Sequence, residues 1–174
     1  MGTNSCMLIG APTLLAQEIF APMNGDKYKI NLGKTLYREA YEESDVEKLL
    51  SVFSSCGFTD MSDGMPSKYG GESRTVLRAR SEELFSEYHV KLNVIVIDVV
   101  IQGDSAYDYG WHEWILMPKG GGPTVRKRER YFERWTQESD GSWRISFFLN
   151  NADVREQIGN SVSRWFMTEE PIPT

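Results

Sequence analysis

Cysteine and histidine are scarce in this 174-residue chain, with two of each: Cys6, Cys56, His89 and His112. Two thiols exclude a disulfide framework and a thiolate zinc site. Two imidazoles exclude a histidine-rich centre, so no metal is expected. Positive charge is also short. Against 25 Asp+Glu there are 19 Lys+Arg, a formal net charge of −6. Attraction to phosphate backbones or anionic lipid needs clustered positive charge, so neither nucleic acid nor a membrane surface is an expected partner. No uninterrupted apolar run approaches the roughly 18 residues of a bilayer-spanning helix. What is present is a 40% apolar, 25% charged composition, enough for a core and suited to one domain with extensions.

The two ends read as extensions. The first charged residue is Glu18, but Gly10 and Pro12 interrupt the apolar start and no positive n-region precedes it. A secretory leader needs both features, so the expected compartment is the cytoplasm. Leu14, Leu15, Ile19 and Phe20, bracketed by Pro12 and Pro22, predict a short amphipathic helix in an N-terminal arm over residues 1–29. Val154, Ile158, Val162 and Trp165 predict a C-terminal helix within residues 152–174, ending before Pro171 and Pro173. The domain itself is expected over residues 30–151.

Within the domain, Leu32, Leu36 and Ala40 lie four apart, with Tyr37 and Tyr41 beside them, which predicts a first helix. Ser44 with Glu47 three residues on forms a capping box, so a second helix is expected from Asp45, burying Leu49, Leu50 and Phe53. Residues 56–62 leave room for a short strand. Leu77, Leu84 and Tyr88 share one face of a third helix over residues 73–89. From Val90 the pattern changes: Val94-Ile95-Val96-Ile97 is β-branched throughout, and Val99, Val100 and Ile101 follow, as in a strand covered on both faces. Gly103-Asp104 turns into a strand over 106–117, Gly120-Gly121-Gly122-Pro123 into one over 125–137, and Asp140-Gly141 into one over 143–151. Helices followed by a four-strand meander predict an α+β domain, three helices packed on the concave side of a strongly curved antiparallel sheet with a central pocket.

That element order resembles the nuclear transport factor 2-like superfamily, and its SnoaL-like and ketosteroid isomerase-related branch in particular. The residues carrying the resemblance are Tyr41-Glu42-Glu43-Ser44-Asp45, Gly103-Asp104-Ser105-Ala106-Tyr107, and the stretch from Tyr131 to Trp135 followed by Asp140-Gly141-Ser142-Trp143-Arg144-Ile145. It covers roughly residues 30–151 and implies that the curved sheet forms a cone-shaped, cystatin-like roll. The superfamily includes isomerases, cyclases, dehydratases, transport adaptors and oligomerisation modules, so fold alone does not select an activity.

Resemblance to the isomerases implies a catalytic set of Tyr37, Asp60 and Glu133. Tyr37 stands eight residues before Asp45, as the family tyrosine stands to its helix-start aspartate. Asp60 lies in Thr59-Asp60-Met61-Ser62-Asp63-Gly64, similar to the segment that carries the family's base. Glu133, ten residues before Trp143, falls where the family has a protonated aspartic acid. The chemistry is coherent in its own right: a sheltered carboxylate abstracts a proton beside a carbonyl, and a phenol plus a neutral acid hold the enolate oxygen. Alternate positions share a strand face, which groups Tyr131, Glu133 and Trp135 as pocket residues and sends Arg126, Arg128, Arg130 and Arg134 the other way. By the same alternation Tyr109, Trp111 and Glu113 are expected to line the pocket and hold a flat organic ligand, with Asn150 at its mouth. His112 falls on the opposite face with Asp108 and Trp114 and reads as structural.

Each assignment has a structural counterpart. Tyr37 equally suits a helix stripe, Asp60 a turn before Gly64, and Glu133 a cross-strand pair with Arg144. Two functions therefore stand: a small-molecule-binding protein acting as a cofactor-independent isomerase, cyclase or dehydratase on a hydrophobic cyclic carbonyl compound, or a non-catalytic homodimerisation or adaptor module. No cofactor is implied, since no dinucleotide fingerprint or metal-ligand cluster occurs. The apolar run from Val94 to Ile101 predicts a homodimer through the convex sheet face.

Overall fold

The structure is a computed structural model and describes residues 25–153. The helices expected near Leu14 and Val154 lie outside the described residues. In chain order the elements are α1 (Gly25–Glu43), α2 (Val46–Val52), β1 (Thr59–Ser62), α3 (Gly71–Glu87), β2 (Tyr88–Gln102), β3 (Ser105–Pro118), β4 (Val125–Gln137) and β5 (Trp143–Ala152). The expected α+β order of helix, helix, short strand, helix and meander is present. No described helix is long and apolar enough to cross a membrane.

The sheet order is β1-β5-β4-β3-β2. The four long strands pair antiparallel, and β1 adds in parallel to β5 with Asp60 opposite Phe148. The sheet is therefore mixed at this edge. β1 reaches β5 through α3 and the whole meander, and that long connection permits a parallel pairing that a hairpin does not. Register shifts between Val96 and Asp98 and between Arg134 and Trp135 mark bulges. Bulges bend a strand and deepen its twist, which wraps the sheet around the helices.

Local chemistry sets the helix ends. Ser44 takes φ 59°, and the Asp45 amide donates back to the Ala40 carbonyl at 2.8 Å, closing α1. The α2 cap is then Asp45, whose side chain accepts from the Lys48 amide at 2.9 Å, one residue later than the capping box at Ser44 would place it. Arg74 on α3 donates to the carbonyls of Leu50, Phe53 and Ser54 at 2.9–3.3 Å, satisfying the C-terminal end of α2.

Two phases differ from expectation. On α1 the buried stripe is Ile30, Lys34, Tyr37, Ala40 and Tyr41, and Leu32 is exposed. A lysine on the inner stripe hides the period, because a cation is counted as a surface residue unless its counter-charges are known. On β3 the buried positions are Ala106, Asp108, His112 and Trp114, so Tyr109, Trp111 and Glu113 stand on the outer face. The expectation that these three line the pocket is corrected. The inner set carries Asp108 and His112, polar residues whose partners lie far away in sequence, and the outer set carries the aromatics that pattern alone sends inward. On β2, Val94, Val99 and Ile101 pack against the core. Ile95 and Val100 are exposed, and the bulge between them switches the parity.

Gly33 sits where α1 crosses the fully buried Trp135. A Cβ there would meet Trp135 Cζ3 at 2.7 Å and Cη2 at 2.9 Å. Gly-to-Ala in a helix interior ordinarily stabilises by about 1 kcal/mol. Overpacking against an indole with no room to move costs about 1–3 kcal/mol, and here it wins. Gly33→Ala is expected to lower stability by up to about 2 kcal/mol in urea unfolding. A rise in the unfolding midpoint would show that α1 does not press on Trp135.

Candidate active site

A cavity of about 300 Å³ opens between α1, α3 and the inner faces of β1, β3, β4 and β5. Its walls are part aromatic and aliphatic, with Tyr37 and Tyr41 from α1, Leu77 from α3 and Trp114 and Phe148 from the sheet, and part charged, with Asp60, Arg80, Lys127 and Glu129. A concave hollow in which polar groups converge among aromatic rings is a usual form of a small-molecule site.

Asp60 is brought into this wall by β1 and is 3% exposed. Its Oδ1 accepts from the Ser62 amide at 3.0 Å and the Ser62 hydroxyl at 2.5 Å. Its Oδ2 lies 3.6 Å from the Arg80 guanidinium, which reaches in from α3. Opposite, β4 supplies Glu129. Its Oε2 accepts from Trp114 Nε1 at 2.9 Å and Asn150 Nδ2 at 2.8 Å, and its Oε1 pairs with Lys127 at 2.9 Å. Tyr37 and Tyr41 meet edge to face, ring centroids 5.1 Å apart. Burial, reinforced by neighbouring Tyr41 and Glu133, pushes the Tyr37 phenol well above its ordinary range. Burial also pushes Tyr41 up to about 12, against the opposing pull of Tyr37 and Arg80. Both therefore remain protonated donors at neutral pH.

Of the expected residues, the structure brings Asp60, Tyr37 and Asn150 to the cavity. Glu133 it does not. Glu133 is buried on the shared face with Tyr131 and Trp135, as strand alternation requires, but lies in a separate polar cluster below the cavity. There Lys34 Nζ, from α1, is 2.7 Å from Glu133 Oε2, 2.7 Å from Asp108 Oδ2 and 3.1 Å from the Tyr131 hydroxyl. The counter-charge for Glu133 comes from a helix, not from the cross-strand Arg144. Tyr131 and Trp135 lie under Lys34, whose ammonium is 4.2 Å and 5.6 Å from their ring centroids. The sequence reading missed Tyr41, Arg80, Lys127 and Glu129. Two signals were available: Tyr41 lies one helical turn after Tyr37, and Glu129 shares the strand parity of Tyr131 and Glu133.

Between cavity and cluster lies His112, fully buried. Its ring stacks on Tyr131 at 4.2 Å and on Tyr37 at 5.5 Å. Gly110, paired with Tyr131 in the sheet, leaves the inner face bare so that the Tyr131 ring can cross it. Neither imidazole nitrogen has a hydrogen-bond partner among the described residues. Burial, with Lys34 and Lys127 nearby, lowers its pKa well below the ordinary value, so the ring is neutral.

No protein-family model and no curated protein matches this sequence. Solved structures do. A ketosteroid isomerase-like protein from Erwinia carotovora atroseptica superposes with TM-score 0.64 at 16% identity, over 76% of this chain and 100% of that one. A nuclear transport factor 2-like superfamily protein from Salmonella enterica serovar Typhimurium gives 0.62 at 15% identity, over 79% and 97%. The chain has the nuclear transport factor 2-like fold. A third structure with this fold, a protein of cystatin-like form from Novosphingobium aromaticivorans, covers 88% of the chain and 95% of its own length, with TM-score 0.62 at 14% identity. At these identities the nuclear transport factor 2-like likeness is one of fold, and the site must be argued from its own residues.

The buried cluster gives stability a pH dependence. Two carboxylates share one ammonium away from water. Burial pulls Lys34 down, but Glu133 and Asp108 outweigh it and its net shift is upward. Burial and the adjacent Glu133 raise Asp108 from 3.8 to about 8, against the pull of Lys34. A carboxyl with a raised folded pKa keeps its proton when the unfolded chain has lost it, so stability falls as pH rises from about 4 to about 8 and levels off above. The lowered His112 acts oppositely, costing stability only as pH falls through its ordinary 6.5. Between pH 7 and 8 the Asp108 slope is therefore isolated. The thermal midpoint of the natural protein is expected to drop across that interval and that of Asp108→Asn to stay level. Equal slopes would show that Asp108 does not carry the proton.

Proposed function

We propose that this chain binds a small hydrophobic organic molecule in the cavity and acts on it by general acid–base chemistry, as an isomerase, cyclase or dehydratase of a cyclic carbonyl compound, in the cytoplasm. The supporting observation is a cavity of about 300 Å³, lined by aromatic rings and charged groups, into which a nearly water-free carboxylate, Asp60, is fixed by Ser62. The alternative of a non-catalytic adaptor required the same aromatics to fill the core solid, and the open space beside Asp60 favours the ligand-binding reading. Asp60 takes a proton from the carbon beside the carbonyl. The C–H pair becomes the enolate, whose oxygen accepts hydrogen bonds from the phenols of Tyr41 and Tyr37. The proton then returns to a different carbon, or its loss drives out a β-hydroxyl as water. Glu133, engaged with Lys34 outside the cavity, takes no part in this scheme.

Proton exchange reads this without knowledge of the natural substrate. In deuterium oxide, the protein is expected to speed α-hydrogen exchange of a cyclic enone, and Asp60→Asn to reduce the acceleration at least 10²-fold with an unchanged thermal midpoint. Exchange that survives in the variant removes Asp60 from the chemistry.

A second copy of the chain is the partner we propose for the outer sheet face. Ile95, Val100, Tyr109 and Phe132 are exposed there, and Phe132 meets Tyr107 and Phe147 at 6.2 Å each. Light scattering at micromolar concentration is expected to give twice the chain mass, and Phe132→Glu to halve it. A monomeric natural protein would refute this.

A further inference from the structure

The cavity holds its two signs of charge unequally. Four carboxylates reach it, Asp60, Glu83, Glu87 and Glu129, against two cations, Arg80 and Lys127. The inner carboxylates are fixed. The Asp60 side chain is 4% exposed and tied twice to Ser62, and that of Glu129 is 12% exposed and tied to Trp114 and Asn150. The cations are not. Arg80 is 42% exposed and Lys127 47% exposed, and Arg80 comes no nearer to Asp60 than 3.6 Å. A half-exposed cation on a flexible stem moves into water at little cost, whereas a buried carboxylate has nowhere to follow it.

This asymmetry decides which charge a ligand can bring. An anionic ligand would draw Arg80 or Lys127 from a carboxylate left buried without a counter-charge, and would meet Glu83 and Glu87, which have no ion-pair partner among the described residues. A cationic ligand replaces either protein cation and leaves every carboxylate satisfied. Lys127 already occupies such a position: its ammonium is 2.9 Å from Glu129 Oε1 and 5.1 Å from the Trp114 ring centroid. A carboxylate beside an indole face is a recognition element for ammonium groups.

We infer that the cavity takes a compact apolar amine whose ammonium displaces Lys127 from Glu129 and Trp114, while its apolar body lies against Tyr41, Leu77 and Phe148. This rests on the ligand-binding reading above and narrows it to compounds carrying a basic nitrogen.

Calorimetric titration of the full chain with three matched probes tests it: 2-phenylethylamine, 2-phenylethanol and 3-phenylpropionate. The amine is expected to bind about tenfold tighter than the alcohol, with the acid weakest. Lys127→Met, which removes the competing ammonium, is expected to strengthen amine binding several-fold and leave the alcohol unchanged, an effect that simple structural damage does not produce. Glu129→Gln is expected to bring the amine to the level of the alcohol. If the alcohol binds as well as the amine, if the acid binds best, or if Lys127→Met weakens the amine, the amine inference falls and small-molecule binding stands. If none of the three binds at millimolar concentration, both readings fall.

Discussion

One ammonium group fixes the arrangement of this protein. Lys34 projects from the middle of α1 into the buried interior and meets Asp108 of β3 and Glu133 of β4, each at 2.7 Å. Burying one cation and two carboxyl groups is costly unless they meet, and leaving any of them unpartnered costs more. The helix is thereby locked in rotation as well as position. With Lys34 inward, Tyr37 and Tyr41 fall on the inner side three and seven residues later and reach the cavity wall. A rotation that put Leu32 inward would take Lys34 away from the two carboxyl groups and leave them in the core without it.

The interior thus divides into two polar layers separated by a ring stack. Below lies the buried cluster around Lys34. Above lies the cavity, where Asp60 and Glu129 face a space that a ligand can enter. Tyr37, His112 and Tyr131 stack between them. A neutral histidine suits that place, being flat enough to stack and uncharged against the nearby Lys34. The two layers differ in what holds their carboxylates: a buried lysine below, exchangeable surface cations above. The first arrangement holds its charges in place and the second lets its cations move.

Much of the fold was legible in the sequence because it is written in local chemistry. Glycine-bearing turns at 103–104 and 140–141 fixed the hairpins, and the ends of β4 fall where the alternation predicts them. Site residues were legible only where local pattern and geometry coincide, as for Asp60 beside its turn and Tyr37 on its stripe. The inner face of β3 was misread because its membership depends on Lys34, Tyr131 and Phe148, partners that sequence spacing does not reveal. Glu133 was placed on the correct face yet in the wrong compartment: alternation specifies which side of a sheet a residue takes, not which of two hollows on that side receives it.

The bulge on β2 has a consequence for solubility. β2 is the outermost strand of the sheet on its side, fifteen residues long and rich in β-branched apolar residues. Such an edge is a template on which further strands can grow into aggregates. Between Val96 and Asp98 the ladder slips by a residue, and the Asp98 carboxylate accepts its neighbour's amide, Val99 N–H, at 2.8 Å. An incoming strand in register with one half of β2 is out of register with the other and loses a donor at the junction. The same irregularity that helps wrap the sheet around its cavity divides the longest strand at an edge of the described sheet into two segments of different register.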